Sequence, residues 1–232
     1  SADNAAARDS LGVIEYPYTT DFQSGTEQTR NLTSITSSSG FYFNSNLTSI
    51  YVGSNVTSIG SGSFLYCSSL TSITLPNSLT IITNSTFTGC TSLTSIIIPD
   101  SVTSIEYNAF SACTGLTSIT IPDSVTTIGS SAFSGCNSLP SIVIPDSVTS
   151  IGVSAFNSCS SLTSAIIGNG VTSIGSSAFF GCTSLATINC LATTAPTLGS
   201  NAFSYVAASD IHVPVGATYP ATYGGLTVVF DL

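Results

Sequence analysis

The stretch CTGLTSITIPDSVTTIGSSAFSG, from Cys113 to Gly135, is one copy of a pattern that returns every 23 residues along the chain. Phenylalanine, leucine and isoleucine keep this register, for example at Phe133, Leu116 and Ile128. Cysteine marks it most clearly, at Cys67, Cys90, Cys113, Cys136, Cys159 and Cys182. A fixed period of this length is typical of a solenoid, in which each repeat forms one turn. We therefore predict a single elongated repeat domain built of 23-residue turns.

Each turn contains signals for short strands and bends. Residues 116–121 alternate apolar and hydroxyl side chains, as expected for a strand with one buried face. Pro122 and Asp123 predict a bend, because proline cannot continue the hydrogen-bond ladder of a sheet. Residues 125–128 supply a second apolar pair, and residues 131–133 are suited to a short helical or 3₁₀ turn. Stacking predicts a parallel β-sheet on one side, with short strands and 3₁₀ or helical turns on the other.

The ends of the chain depart from the repeat. We predict that the solenoid covers residues 32–232, with a closing element from about residue 190. Residues 1–31 are predicted to be a leader, which holds both arginines and five of the eleven acidic residues. Two hypotheses describe this leader. It caps the first turn of its own chain, or it adds to a neighbouring copy and builds a head-to-tail filament.

The composition excludes several classes of function. Charged residues make up 6% of the chain, against about 25% in average soluble proteins, and lysine is absent. A net charge of −9 argues against nucleic-acid partners and anionic membrane surfaces. No apolar run approaches the roughly 18 residues that a membrane-spanning helix needs. The start at Ser1 fits a mature chain whose signal peptide has been removed, so we expect an extracellular location.

The repeat resembles the leucine-rich repeats of the BspA-like family. The resemblance rests on units such as IPDSVTTIGSSAFSGCNSLPSIVIP, at residues 121–145, and covers about residues 32–230. The stretches TTAPTLGSNAF at 193–203 and IHVPVG at 211–216 are similar to that family's closing repeat and terminal element. The resemblance implies a leucine-rich-repeat solenoid. It also implies a secreted or surface-attached protein that works in adhesion and in contact with a host or matrix rather than in catalysis.

The cysteine column is predicted to be structural. In an oxidising compartment, stacked cysteines would lie within bridging distance, so disulfides are one interpretation. Their side chains would however run parallel into the core, where cysteine behaves as a small apolar residue. We therefore predict a buried thiol ladder, and Cys190, which lies outside the column, is also predicted to be core. The paired local spacing of a zinc site is missing.

Two further sets of polar residues are candidate sites. One column consists of Asp100, Asp123 and Asp146, flanked by Asn77 and Asn169. A turn role explains every member, and a weak calcium site is the alternative. His212 is the only histidine, and the sequence assigns it no catalytic partner, so it is interpreted as structural. We predict no catalytic residues, no cofactor and no metal.

Exposed positions suggest modification or surface binding. Sequons for N-glycosylation occur at Asn31, Asn46, Asn55 and Asn84. One predicted outward column is threonine and another is serine, namely Thr80, Thr103, Thr126, Thr149 and Thr172, and Ser72, Ser95, Ser118, Ser141 and Ser164. Such hydroxyl ladders suggest ice or a polysaccharide lattice as a ligand, although Ile97, Val143 and Ile166 interrupt a neighbouring column.

Three hypotheses for function follow. The first is a non-enzymatic extracellular structural or adhesive surface protein, with head-to-tail self-assembly into a filament as its extension. The second is a monomeric binding module that recognises a protein or glycan along its outer sheet. The third is binding of ice or a polysaccharide lattice. The partners predicted are thus a second copy of the chain, an extracellular protein or a glycan.

Overall fold

The computed structural model describes residues 26–28, 34–36 and 41–232, the first of these ranges by its backbone alone. Within these ranges the chain forms a solenoid of short parallel strands. Most paired strands are one 23-residue turn apart, as Ser95 and Ser118 are. The predicted solenoid with a parallel sheet is therefore confirmed.

Two strand types alternate along the chain. The longer strands form one side of the solenoid, here called the long-strand face: β1 (Thr26–Gln28), β3 (Ser49–Tyr51), β5 (Ser72–Thr74), β7 (Ser95–Ile97), β9 (Ser118–Thr120), β11 (Ser141–Ile144), β13 (Ser164–Ile167), β15 (Thr187–Cys190), β17 (Asp210–Val213) and β19 (Leu226–Phe230). The shorter strands are β2 (Ser34–Ile35), β4 (Ser58–Ile59), β6 (Ile81–Ile82), β8 (Ser104–Ile105), β10 (Thr127–Ile128), β12 (Ser150–Ile151), β14 (Ser173–Ile174) and β16 (Thr197–Leu198). The last short strand, β18 (Thr222–Tyr223), belongs to the closing end.

Hydrogen-bonded pairing runs through five ladders. The long-strand face contains β1-β3-β5, β7-β9 and β11-β13-β15-β17-β19, while the short strands form β2-β4 and an unbroken ladder from β6 to β16. At the C-terminal end, β18 pairs antiparallel with β19 through a turn at Gly224 and Gly225. Both glycines have positive φ, at 65° and 89°, which a hairpin turn of two residues requires. In this hairpin β18 lies antiparallel to β19 and covers part of the outer edge of β19.

The N-terminal strand lies inside the predicted leader. β1 pairs in parallel with β3, and Thr26 lies opposite Ser49, one 23-residue turn later. The strand stack therefore already includes residues 26–28 of the segment 1–31, and it does so within the same chain. The other residues of the predicted leader lie outside the described residues.

A third side of the solenoid, here called the turn face, was predicted to form short helical or 3₁₀ turns; the described residues form turns there but no helix. Its N–H groups alternate between two kinds of partner. Those of Ser131, Phe133 and Gly135 donate to carbonyls of the following layer, at 2.8 Å in each case. Those between them close turns to the residue three positions back, as in Ser134 to Ser131 at 3.1 Å. Ser131 and Gly135 also have positive φ, at 53° and 72°, which interrupts any helix. Hydrogen bonds between layers thus replace those of a helix.

The core is a set of apolar columns enclosed by the three sides. The phenylalanine rings stack along the axis with centroids 5.1–5.5 Å apart. Members of the stack are Phe41, Phe64, Phe87, Phe110, Phe133, Phe156, Phe179 and Phe203. The leucine, isoleucine and cysteine columns are buried beside them. Each layer therefore covers the apolar faces of its neighbours, which no single turn can do alone.

Close approach of successive layers makes one glycine hard to replace. A Cβ at Gly170 would collide with the Asp146 carbonyl oxygen of the previous layer, whereas one at Gly216 would meet nothing within 4 Å. We expect Gly170→Ala to lower the free energy of unfolding by about 3 kcal/mol, because backbone must shift. Gly216→Ala serves as the control and should cost only about 1 kcal/mol, from its positive φ. Urea unfolding followed by circular dichroism measures both, and equal losses would contradict the collision.

Candidate binding surface

The long-strand face presents a continuous uncharged surface. On strands β3 to β15 the outward positions hold serine or threonine first and then a second residue two positions later. Those second residues are Tyr51, Thr74, Ile97, Thr120, Val143, Ile166 and Asn189. Ile97 is 86% exposed and Val143 57% exposed, although both are aliphatic. The face is thus a column of large, mostly β-branched side chains beside a column of hydroxyls.

The hydroxyl groups of the threonine column, on another side of the solenoid, donate hydrogen bonds to backbone carbonyls of the previous layer. The hydroxyl of Thr103 donates to the Thr80 carbonyl oxygen at 3.2 Å, and Thr126 donates to Thr103 in the same way. Thr149, Thr172 and Thr197 repeat the contact in later layers. A hydroxyl has one proton to donate. This column therefore offers a ligand mainly acceptor oxygens, which makes it a poorer lattice-binding surface than free hydroxyls would be.

The six column cysteines are buried, and none is in a disulfide. Each thiol donates a hydrogen bond to the carbonyl oxygen of a phenylalanine 26 residues earlier, as Cys136 does to Phe110 at 3.3 Å. The same contact repeats at Cys67, Cys90, Cys113, Cys159 and Cys182. These carbonyls also accept a backbone N–H within their own layer, as Phe110 does from Cys113 at 3.2 Å, so each thiol adds a second hydrogen bond that joins two layers.

Burial favours the protonated form of four of the column thiols by raising their pKa. Desolvation raises the pKa of Cys67 and of Cys136 to about 12, from an ordinary value of 9.0. It also raises the pKa of Cys90 and Cys113. Because the thiolate is the reactive species, protonated and buried thiols are poor nucleophiles and poor metal ligands. The column has the chemistry of a core and not of an active site.

Cys190 has a different partner from the column cysteines. The hydroxyl of Tyr219 donates to its sulfur at 3.1 Å, within the closing end of the chain. The Tyr223 hydroxyl, in the same cluster, donates to the Pro196 carbonyl oxygen at 2.7 Å. Desolvation raises the pKa of both tyrosines and of Cys190. The cluster therefore ties the closing hairpin to the last layers.

The aspartate column lies on exposed bends. Asp100, Asp123 and Asp146 are each exposed. Asp146 accepts a hydrogen bond from the Asn169 backbone N–H of the next layer at 2.7 Å. Within the described ranges no group of three or more histidine, cysteine, aspartate or glutamate side chains is arranged to hold a metal ion. The contact of Asp146 is that of a turn residue.

In the structure His212 has two carboxylate partners that could not be assigned from the sequence. Its Nδ1 lies 2.9 Å from Asp231 and its Nε2 lies 3.4 Å from Asp210. Asp210 and His212 share strand β17, while Asp231 follows β19, which pairs with β17. The histidine therefore links the last two parallel strands of the long-strand face. Parallel pairing brings Asp231 to it from 19 residues away, and no local sequence motif signals that.

The predicted sequons fall at the N-terminal end. Asn46, Asn55 and Asn84 are exposed, and Asn31 lies outside the described residues. The Asn84 side-chain oxygen accepts a hydrogen bond from the Tyr107 backbone N–H at 3.2 Å. Glycosylation at these positions stays a prediction.

One set of exposed residues was missed by the sequence reasoning. Tyr42, Phe43 and Tyr66 lie on the turn face at its N-terminal end, and all three are exposed. Phe43 and Tyr66 are 23 residues apart, in the same register as Gly89. An aromatic residue at a repeat position that most later layers fill with a small residue is the signal that would have identified Phe43 and Tyr66.

Comparison with protein families gives a match over most of the chain. The model of the BspA type leucine rich repeat region matches in six copies, over residues 33–160 and 103–219. Comparison with curated proteins gives no match. Within the described ranges, no helix has the length and apolar character needed to cross a membrane.

Comparison with solved structures gives several leucine-rich repeat proteins. The chain is similar to a leucine rich repeat protein from T. pallidum, with 32% identity, a TM-score of 0.64, and coverage of 72% of this chain and 77% of that one. It is also similar to a leucine rich cell surface protein from Faecalibacterium prausnitzii, with 27% identity, a TM-score of 0.48, and coverage of 71% and 59%. A leucine-rich repeat protein from Bacteroides ovatus matches with 20% identity, a TM-score of 0.41, and coverage of 89% and 92%.

Proposed function

The chain belongs to the family of BspA-type leucine-rich repeat proteins, and we propose that it is a non-enzymatic adhesive protein of the cell surface. We further propose that it binds an uncharged protein or glycan through the long-strand face. The observation that carries this proposal is the exposure of two aliphatic side chains, Ile97 and Val143, among hydroxyls, with no charged side chain on strands β3 to β15.

The chemistry of this face suits adhesion. Ile97 and Val143 offer apolar area to a partner, and burial of such area stabilises a complex by about 25 cal/mol per Å². The neighbouring serines offer hydrogen bonds without the desolvation penalty of charges. The strands hold both columns in fixed register, so little conformational entropy is lost when a partner binds. A repetitive partner would meet a serine or threonine hydroxyl in layer after layer of this face.

The reactive side chains support a non-enzymatic function. The column thiols are buried, and they donate hydrogen bonds to backbone carbonyls. His212 lies between two carboxylates that join adjacent strands. General acid–base or nucleophilic work requires a group that can reach a substrate and change its protonation state. The contacts of the thiols and of His212 therefore support structural roles for these groups.

Charge placed on the long-strand face should abolish binding. We expect the double variant Ile97→Lys/Val143→Lys to bind at least tenfold more weakly, because two ammonium groups would replace the apolar contacts and would have to be desolvated. Binding can be measured by biolayer interferometry against immobilised extracellular-matrix proteins and neutral polysaccharides. The wild type identifies the responding surface, and the variant is then tested on it.

The control places the same charge on another side. Val153 is 50% exposed on the turn face, so Val153→Lys adds a lysine without touching the long-strand face. Val153→Lys should bind as the wild type does. Equal binding by the double variant and the wild type would refute the long-strand face as the adhesive surface.

Head-to-tail self-assembly is the second proposal for function. Its support is the low charge, since 6% charged residues leave little repulsion between copies. The pairing of β1 with β3 in the same chain and the hairpin over β19 support the capping hypothesis for the two ends. Self-assembly and capping can be distinguished by light scattering on the full chain and on a chain that lacks residues 1–25 but keeps β1. Threads from the full chain alone would favour assembly, and single-chain rods from both would exclude it.

A further inference from the structure

The last layer of the turn face has backbone donors that pair in earlier layers and are unpaired here. In every layer from Gly62 to Gly181, three alternate N–H groups donate to carbonyls of the following layer at 2.7–3.0 Å. The corresponding N–H groups of the last layer belong to Asn201, Phe203 and Tyr205. Among the described residues, none of these three finds a backbone acceptor. We call these three residues the donor edge.

The closing hairpin covers the core side of the last layer and not its turn face. The Tyr223 ring lies beside the Phe203 ring, with centroids 6.3 Å apart. A Cβ at Gly224 would collide with the Phe203 side chain, so the hairpin turn lies directly against that ring. Asn201 and Tyr205 are nevertheless exposed, Tyr205 by 73%. The two outer positions of the donor edge are therefore accessible from outside.

The N-terminal end of the turn face has an acceptor in the same register. Phe43 donates to the Leu65 carbonyl, and Tyr66 one layer later donates to the Thr88 carbonyl. By this register, a layer placed before the first would donate to the Tyr42 carbonyl. No N–H group of the described residues donates to the Tyr42 carbonyl oxygen. One end of the turn face thus presents donors, and the other presents an acceptor at the matching position.

Aromatic side chains lie at the same two ends. One column of the turn face begins with Phe43 and Tyr66 and ends with Tyr205. The layers between them hold small residues, namely Gly89, Ala112, Gly135, Ser158 and Gly181. Phe43 is 55% exposed, and in-register stacking of two copies would place it in the layer directly after Tyr205. Both rings would then lose exposed apolar area, and such burial stabilises a contact.

The chemistry of the donor edge favours a second copy of the chain as its occupant. Two donor edges cannot pair with each other, because each presents N–H groups to the other. The occupant must instead bring carbonyls spaced as in a layer of this solenoid, which the first layer of the chain itself does. Residues 41–99 and 147–209 contain no charged residue or histidine, so these segments bring no charge that must be desolvated. A head-to-tail contact of this kind does not close and builds a filament.

We propose that the donor edge docks the first turn-face layer of a second copy. The Tyr205 N–H donates to the Tyr42 carbonyl oxygen of that copy, and the Tyr205 ring packs against its Phe43. The hydrogen-bond pattern of the turn face thereby continues from one copy into the next. This inference rests on the proposed head-to-tail self-assembly and names the contact that forms it.

The first test joins the two ends covalently. The full chain carrying Phe43→Cys/Tyr205→Cys is treated with a short bismaleimide, and the native cysteines are buried, so the introduced thiols react first. Within one chain these positions are seven layers apart, about 34 Å at about 4.8 Å per layer, which the reagent cannot span. We expect a ladder of covalent dimers, trimers and longer products on a denaturing gel. Tyr205→Cys alone should give no ladder and no dimer.

The second test places a charge in the contact. Tyr205→Asp brings a carboxylate towards the Tyr42 carbonyl of the next copy, and aspartate tolerates left-handed φ, so the fold should be kept. Assembly, followed by sedimentation velocity and negative-stain microscopy over a concentration series, should need at least tenfold more protein. Ser158→Asp is the control, because it adds the same charge at the same φ of 59° in an interior layer. Phe43→Asp/Tyr205→Lys should restore assembly in a salt-sensitive form, since opposite charges then meet.

The outcomes separate this inference from the proposals on which it builds. Single-chain rods from the wild type at every concentration would exclude self-assembly itself and the contact with it. Wild-type assembly without a cross-linked ladder would exclude only the contact, as would dimers from Tyr205→Cys alone. Equal assembly by the wild type, Tyr205→Asp and Ser158→Asp would also overturn the contact. Tyr205→Asp should bind through the long-strand face as the wild type does, so adhesion is tested separately.

Discussion

Phe133→Ala is expected to lower the free energy of unfolding by about 3–5 kcal/mol. Phe133 is fully buried, and its ring stacks between Phe110 and Phe156 with centroids 5.3 and 5.2 Å away. Removing it leaves a cavity in the middle of the stack and removes two ring contacts. Because a solenoid is held together by contacts between adjacent layers, the loss also weakens coupling between the two halves. Urea unfolding followed by circular dichroism measures the effect.

A matched control is available near the C-terminus. Phe230 is 45% exposed, so Phe230→Ala should cost less than about 1 kcal/mol. A double-mutant cycle between Phe133 and Phe156 should show a coupling of about 0.5–1.5 kcal/mol. Residues several layers apart, such as Phe64 and Phe179, should be additive within about 0.5 kcal/mol. Similar costs for Phe133→Ala and Phe230→Ala would contradict the stack as the main source of stability.

Alkaline unfolding is the second large effect that we expect. Burial raises the pKa of Cys67 and Cys136 to about 12 in the folded chain, against 9.0 for an ordinary thiol. Between pH 9 and pH 12 the unfolded chain therefore loses thiol protons that the folded chain keeps. Stability is fully present below pH 9 and falls as pH rises through this window. Each such thiol contributes a loss of about 1.4 kcal/mol per pH unit.

The measurement is the free energy of unfolding from urea curves at several pH values from 7 to 11, in the presence of a reductant. Cys136→Ala is the informative variant. At pH 7 it should be less stable than the wild type by about 1–2 kcal/mol, since it lacks the sulfur and the hydrogen bond to Phe110. Above pH 9 that difference should shrink, because the variant has one fewer thiol to ionise on unfolding. A constant difference from pH 7 to pH 11 would refute the argument.

The repeat made most of the architecture predictable. Hydrophobic positions spaced by 23 residues, such as Phe110 and Phe133, can all be buried only if successive turns lie in register. The alternation at residues 116–121 predicted the long strands for the same local reason. The helical turn at residues 131–133 was predicted from local propensity alone. No helix forms there because alternate N–H groups, those of Ser131 and Phe133, bond to the next layer. Such contacts between layers do not appear in local propensity.

The candidate sites also differ in how far the sequence alone could predict them. The register indicated that the cysteine column faces the core, and the uncharged long-strand face could be read from the alternating strand residues. Phe43 and Tyr66 are visible in the sequence only as departures from a repeat position, and their left-handed φ is a property of the folded backbone.

The sequence by itself determined the period, the buried columns and the absence of charge on the long-strand face, because all three depend on residue type and spacing. Only the tertiary structure decided which groups meet across layers. It brought each thiol to a phenylalanine carbonyl 26 residues away, as at Cys136 and Phe110. It brought Asp231 to His212, and it laid Tyr66 against Gly89. These contacts join neighbouring layers, and their geometry is set by how the turns stack rather than by any local motif.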